Sequence, residues 1–221
     1  MSSMTDTDYR LGTKALHAGH KVDQDTLSRA VPIYPTTSYL FKDTDHAADL
    51  FALKEFGNIY SRLMNPTVDV LEKRLAALDG GVTGLCFASG MAAITATIVT
   101  LAQQGQNIVA SQNLYGGTVT LFGQTLPKLG IETRFFDPAD ADAIAPLIDE
   151  NTRAVYIETI SNPNNVICDF ETVAEIAHAH GLPLICDNTV ATPVLFRPFE
   201  HGVDVAVYST TKFLAGHGAH V

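Results

Sequence analysis

From residue 84 onward, short apolar runs alternate with longer segments whose apolar residues recur at helical spacing. The runs at Gly84–Ala88, Asn107–Ala110, Thr133–Phe136 and Ala154–Ile157, and those around Leu184 and Val205, are predicted as strands. Between them, helices are predicted from Met91 to about Gln104, Gly117 to about Leu129, Ala141 to Ile148 and Phe170 to His180. Strands that are short, mostly continuous in apolar character and separated by helices imply an α/β fold. Its sheet would be mostly parallel, with helices on both faces. Ligands in such sheets bind beyond the carboxyl ends of the strands.

Residues 1–57 lack that rhythm and read as an N-terminal arm with little core of its own, packing on another surface. Pro32 and Pro35 bound an extended stretch, Val31–Leu40, and a short helix is expected around His46–Leu53. Residues 58–221 form the expected large domain. It opens at Asn65-Pro66-Thr67, where asparagine caps a helix and proline occupies its first position. Val68, Leu71, Leu75 and Leu78 carry the helical spacing, and Asp79-Gly80-Gly81 ends it.

Composition narrows the classes. The 221 residues are 46% hydrophobic and 17% charged, enough apolar material for a real core. With 24 acidic against 14 basic residues, the formal charge of -10 disfavours nucleic acid as a partner. Cys86, Cys168 and Cys186 form no CxxC pair, and Cys86 and Cys186 lie in apolar runs. Reduced, packed thiols in a cytoplasmic protein are expected. Met1–Lys14 is polar without an apolar signal core, so no export is expected. Leu85–Ala102 is uncharged but divides into a strand and a helix, so a buried element is expected there rather than a membrane span.

The candidate chemistry sits where strands end. Lys212 follows the Val205 run and Asp187 ends the Leu184 run. A lysine amine that condenses with an aldehyde, and an aspartate that keeps a pyridine nitrogen protonated, are what pyridoxal 5'-phosphate (PLP) needs. Lys212 alone would more often be a surface lysine at a loop. Ser89-Gly90-Met91 lies between a strand and a helix; free amides there suit an anion, though an ordinary turn has the same look. Ser209 and Thr211 offer hydroxyls to the same phosphate or cap a turn. Tyr115, before Gly116-Gly117, can stack on a flat ring and relay protons, or pack on its glycine turn. Glu158 and Asn162 follow another strand: Asn162 suits a ring hydroxyl and Glu158 can orient its neighbours, although Asn-Pro is also a turn former. Tyr60 and Arg62 are polar residues ahead of the first helix; Arg62 can bind phosphate or remain solvated. His178 and His180 suit a helix C-terminus, and the other histidines lack partners at metal-site spacing, so no metal is expected. HExxH, Walker and GxGxxG motifs are absent.

Taken together, Tyr60-Ser61-Arg62-Leu63-Met64-Asn65-Pro66-Thr67, Ala88-Ser89-Gly90-Met91-Ala92, Asp187-Asn188-Thr189 and Ser209-Thr210-Thr211-Lys212 resemble the Cys/Met-metabolism family of PLP enzymes (γ-family, fold type I). The match runs from about Thr13 to the last residue. Leu16-His17-Ala18-Gly19, Ala30–Tyr34, Phe51–Asn58 and Leu114–Thr118 are most similar to its O-acetylhomoserine sulfhydrylases. Methionine γ-lyases of the family place a cysteine directly after the tyrosine, where this chain has Gly116.

The resemblance implies that Lys212 carries PLP, Asp187 pairs with its ring nitrogen and Tyr115 stacks on the ring. Ser89, Gly90, Met91, Ser209 and Thr211 would hold the phosphate, and Asn162 would sit by the ring hydroxyl. Tyr60 and Arg62 would reach the phosphate of a neighbouring subunit, in a homotetramer built as a dimer of dimers with shared active sites. The implied reaction is γ-replacement: O-acetyl-L-homoserine and sulfide give L-homocysteine and acetate, in methionine biosynthesis by transsulfuration-type chemistry. Lys212 would move protons at Cα and Cβ, and Tyr115 would act as acid or base at the leaving group. Cystathionine γ-synthase and methionine or cystathionine γ-lyase are the alternatives within the family, and an inactive truncated subunit is the alternative outside enzymes. Family members also carry a C-terminal domain with an arginine for the substrate carboxylate, so the chain is expected to be truncated after its lysine.

Overall fold

In the computed structural model, residues 9–219 are described. They form two compact units, one ending at Cys86 and one beginning at Phe87.

The first unit holds three helices: α1 (Leu11–His17), α2 (Thr44–Phe51) and α3 (Pro66–Asp79). The α3 start follows its sequence signals. Asn65 Oδ1 accepts from the Thr67 amide at 2.9 Å, Pro66 takes the first helical position, and Gly80 closes the helix in a left-handed conformation. The same cap organises the arm. Asn65 Nδ2 donates to the Tyr34 carbonyl at 3.0 Å, and Thr67 Oγ1 donates to the Pro32 carbonyl at 3.0 Å. The proline-bounded stretch is thereby pinned to the head of α3. At the other side of α3, Arg74 Nε donates to the Ala18 carbonyl at 2.9 Å, just after α1. Neither α1 nor this packing was expected: seven residues hold too few apolar repeats to show a period.

The second unit carries a five-stranded sheet, all pairs parallel. Its strands are β1 (Asn107–Ser111), β2 (Glu132–Phe136), β3 (Thr152–Glu158), β4 (Leu184–Asp187) and β5 (Val205–Val207). The spatial order is β2-β1-β3-β4-β5. After β1 the chain steps to one side to form β2, then returns to the other side for β3. The loops after β1 and β3 therefore diverge and leave a crevice between them, the usual ligand position in such sheets.

Alternation along the strands splits the core into two layers. Ile108, Ala110, Ala154, Tyr156 and Ile185 face Ile94 and Ile98 of α4 (Gly90–Leu101) together with Phe122 and Leu126. Val109, Val155, Ile157, Leu184 and Cys186 face the opposite way. They pack with Phe170, Val173 and Ala177 of a helix spanning Phe170–Ala179. Both faces of β1 and β3 are covered, which explains why their sequences read as continuous apolar runs rather than alternating ones.

Three expectations change. Residues 84–88, expected as a strand, have no ladder partner among the described residues. An apolar run reads as a strand, but only a partner makes it one. Residues 141–148, expected as a helix, are two 3-10 turns, Ala141–Ala143 and Ala145–Leu147. Pro146 there supplies no amide and disfavours helical backbone before it. The helix expected from Gly117 begins as α5 (Gly116–Thr120), widens into a π turn (Leu121–Thr125) and tightens into a 3-10 turn (Leu126–Leu129). No helix among the described residues is long and apolar enough to cross a membrane. The three cysteines are free, Cys168 and Cys186 buried and Cys86 half-buried.

Candidate cofactor site

A cavity of about 550 Å³ opens at the carboxyl ends of β3, β4 and β5 and at the head of α4. Ten of the residues singled out from the sequence line it: Ser89, Gly90, Met91, Tyr115, Glu158, Asn162, Asp187, Ser209, Thr211 and Lys212. Tyr60 and Arg62 belong to the other compact unit, where Arg62 Nη2 donates to the Tyr60 hydroxyl at 3.0 Å.

One wall is the head of α4. Ser89 is the N-cap, its hydroxyl accepting from the Ala92 amide at 3.1 Å. A side chain on Gly90 would stand 2.9 Å from Ser209 Cβ and 3.1 Å from Ser209 Cα. Glycine is therefore what lets the helix head approach the turn after β5 so closely. The free amides of the first turn and the Ser209 and Thr211 side chains thus meet at one place, a cradle for an anion.

The floor is Asp187, the last residue of β4. Its Oδ1 accepts from the Thr189 amide at 3.0 Å. Burial pushes its carboxyl above the usual carboxylate range, against the lowering effect of Thr189. Thr189 also reaches the lysine turn, its hydroxyl accepting from the Ser209 amide at 2.8 Å. Below, Asn188 is fully buried. Its Oδ1 accepts from the Thr159 hydroxyl at 2.6 Å, and its Nδ2 donates to the Phe196 carbonyl at 2.9 Å and the Tyr208 hydroxyl at 2.8 Å. Asn188 and Thr189 were legible only as part of a motif beside Asp187. Their work of joining β4 to the turn carrying Lys212 is a matter of tertiary contact.

Tyr115 forms the other wall. A side chain on Gly117 would stand 2.6 Å from Tyr115 Cε1 and 3.3 Å from Met91 Sδ, so the tyrosine ring lies back over that glycine. Glu158, 5% exposed, accepts from the Tyr115 amide at 2.7 Å and from the Asn162 amide at 3.3 Å. Desolvation, with the Asp187 charge adding to it, pushes Glu158 up to about 7. Lys212 is exposed at the rim, on a turn in which its amide donates to the Ser209 carbonyl at 3.2 Å.

Residues 12–221 match the family model for Cys/Met metabolism PLP-dependent enzymes. The chain belongs to that family. It is 51% identical over 214 residues to the O-acetyl-L-homoserine sulfhydrylase of Leptospira meyeri, covering 97% of this chain and 48% of that protein. It is 54% identical over 212 residues to O-acetyl-L-homoserine sulfhydrylase 1 of Thermus thermophilus, covering 95% of this chain and 50% of the relative. A crystal structure from Campylobacter jejuni, described as an O-acetylhomoserine (thiol)-lyase with a pyridoxyl-lysine phosphate, superposes with a TM-score of 0.93 at 48% identity. That superposition covers 96% of this chain and 52% of the other. The chain thus spans about half the length of the relatives it matches.

The family's cofactor fits the cavity. PLP brings a phosphate, a pyridine nitrogen and a flat ring. The Gly90 approach provides space and amides for the first, Asp187 a desolvated carboxylate for the second, and Tyr115 an aromatic wall for the third.

Proposed function

We propose that this chain is the PLP-binding part of an enzyme that performs γ-replacement on O-acetyl-L-homoserine, using sulfide and releasing L-homocysteine and acetate. The observation that carries the proposal is the convergence of Lys212, Asp187, Tyr115 and the Gly90–Ser209 cradle on one cavity. The relatives named for this reaction, at 51% and 54% identity, support the substrate.

Bound PLP supplies an electron sink that makes protons on the substrate's Cα and Cβ removable. Everything else falls to the chain's own residues. Asp187 would accept a hydrogen bond from the ring nitrogen and keep a proton there. Its raised affinity for protons reflects a desolvated charge awaiting that cationic partner. The amides at the head of α4, with Ser209 and Thr211, hold the phosphate. Lys212 would carry the cofactor, and its amine would move protons at Cα and Cβ. The Tyr115 ring would lie against the cofactor ring, and its hydroxyl would serve as acid or base where acetate leaves. Asn162 would serve the ring hydroxyl. In the whole protein, Tyr60 and Arg62 reach the phosphate site of a neighbouring subunit in a tetramer, residues 1–57 act as the contacting arm, and an arginine beyond this chain takes the substrate carboxylate. A cytoplasmic setting agrees with three free thiols.

Borohydride reduction of the PLP-treated chain, followed by peptide mapping, tests the cofactor assignment. A pyridoxyl group on Lys212, lost in Lys212→Ala, is expected; the same yield elsewhere in the chain overturns it. In the full-length polypeptide, homocysteine formation that depends on sulfide is expected. Release of an oxo acid and ammonia without sulfide would instead assign the γ-lyase reaction.

A further inference from the structure

Glu158 ends β3, and its register partner across the β3–β4 pair is Asp187. Two carboxylates are therefore set side by side at the floor of one cavity. Glu158 is buried and forms no ion pair among the described residues. Burying a carboxylate without a cation is costly, and glutamine would fill the same space without that cost.

The hydrogen bonds explain why the charge is kept. The Tyr115 amide arrives from the loop after β1 and bonds Oε1; the Asn162 amide arrives from the loop after β3 and bonds Oε2. Two donors converge, so two acceptor oxygens are needed. A carboxylate has both. A glutamine has one, and its NH2 would face the second amide donor to donor. The β1–β3 ladder ends at Ala110 and Tyr156, and beyond it the two loops are joined by this buried carboxylate and, at the surface, by Asn164 Nδ2 donating to Asn113 Oδ1 at 3.3 Å.

We propose that Glu158 is a positioning residue: its two oxygens bridge the loops after β1 and β3 and so hold Tyr115 and Asn162 at the cavity wall. The proposal rests on the cofactor reading above for its consequence, since these are the residues assigned to the ring. Glu158 acts on the cofactor only through the two backbone amides. The titratable groups facing it are Asp187 and Cys186 on β4, Tyr156 on β3, and Cys168 ahead of the Phe170–Ala179 helix, with Lys212 lining the same cavity. Desolvation places the loss of the bridge's charge near neutral pH, at about 7. Once protonated, one oxygen becomes a hydroxyl and accepts poorly from its amide.

Amide NMR on the chain without cofactor tests the bridge. In the wild type, the Tyr115 and Asn162 amide protons should shift together with one midpoint near neutral pH, and neither should titrate there in Glu158→Gln. In that variant at least one of the two amides should exchange with solvent tenfold faster or more, while the β2 amides stay unchanged. Equal acceleration along all of β1 and β3 would mean a general loss of structure and overturn a positioning role, as would wild-type amides that do not titrate. Should Glu158→Gln not fold, the wild-type titration decides alone. A parallel PLP titration should show at least tenfold weaker binding in the variant. Failure of the wild-type chain to bind PLP would overturn the cofactor reading and leave the amide result standing by itself.

Discussion

Replacing Gly90 with alanine sets two opposed effects against each other. Gly90 is the first residue of α4 and its φ lies outside the left-handed region, so alanine fits the backbone there. Helix propensity alone would make the variant more stable, by at most about 1 kcal/mol and by less at a helix terminus. The new methyl group, however, would stand 2.9 Å from Ser209 Cβ and 3.1 Å from Ser209 Cα. Ordinary contact begins at 3.4 Å, and neither atom can rotate away, because one belongs to the backbone and the other is attached to it. The helix head and the lysine turn must therefore move apart by about half an ångström, an overpacking that costs about 1–3 kcal/mol. The overlap wins, and Gly90→Ala is expected to be less stable by about 1–2 kcal/mol in urea unfolding. The displacement falls at the anion cradle, so PLP uptake, followed by absorbance and borohydride fixation, should weaken by tenfold or more. Gly123→Ala is the matched control: that position lies in the π turn after α5, with no atom within 4 Å of the added methyl. It should be neutral or stabilising by up to about 1 kcal/mol, with unchanged PLP uptake. A Gly90→Ala chain as stable as the wild type, with full PLP uptake, would refute the close-approach reasoning.

Glu158 gives a pH dependence of definite sign. Its folded pKa, about 7, is raised above the ordinary 4.5, so its contribution is complete below about 4.5 and is lost as pH rises to about 7. Thermal melts should show that decline, worth up to about 3 kcal/mol, and Glu158→Gln should flatten it. Asp149 has the opposite sign. Asn107 and Arg134 hold its carboxyl well below the usual range, so its contribution is present above the ordinary carboxylate range and lost on acidification. Acid-unfolding curves of Asp149→Asn should lack that component. Asn188→Ala removes the nearest acceptor of the Thr159 hydroxyl, leaving it the Asp187 carbonyl at 3.3 Å, and removes the Nδ2 donor to the Phe196 carbonyl and the Tyr208 hydroxyl, all in a fully buried place. About 3 kcal/mol of stability should go in urea unfolding, and PLP uptake should fall because the lysine turn loses its anchor through Tyr208.

Much of the architecture could be read from short-range pattern. The apolar runs of β1, β3 and β4 are continuous because both sheet faces are covered, and that property is local to each run. The α3 cap was legible because Asn65, Pro66 and Gly80 act on neighbouring amides and on their own backbone angles. The chemistry-bearing types also announced themselves, since Lys212, Asp187 and Tyr115 each follow a strand, and strand ends point one way in a parallel sheet. What pattern could not supply was partnership. Residues 84–88 have strand character and no ladder among the described residues, and Ala141–Ile148 has helical character broken by one proline into two turns. The strand order, which places the loops after β1 and β3 on either side of a crevice, depends on which strands pair, and pairing is set between segments tens of residues apart. Local pattern therefore carried most of the elements, the residue types at their ends and the family. That Gly90 must be a glycine because of Ser209, and that Glu158 serves Tyr115 and Asn162 at once, comes from contacts in the folded chain. Those facts are distances between atoms remote along the chain, and no local preference encodes them.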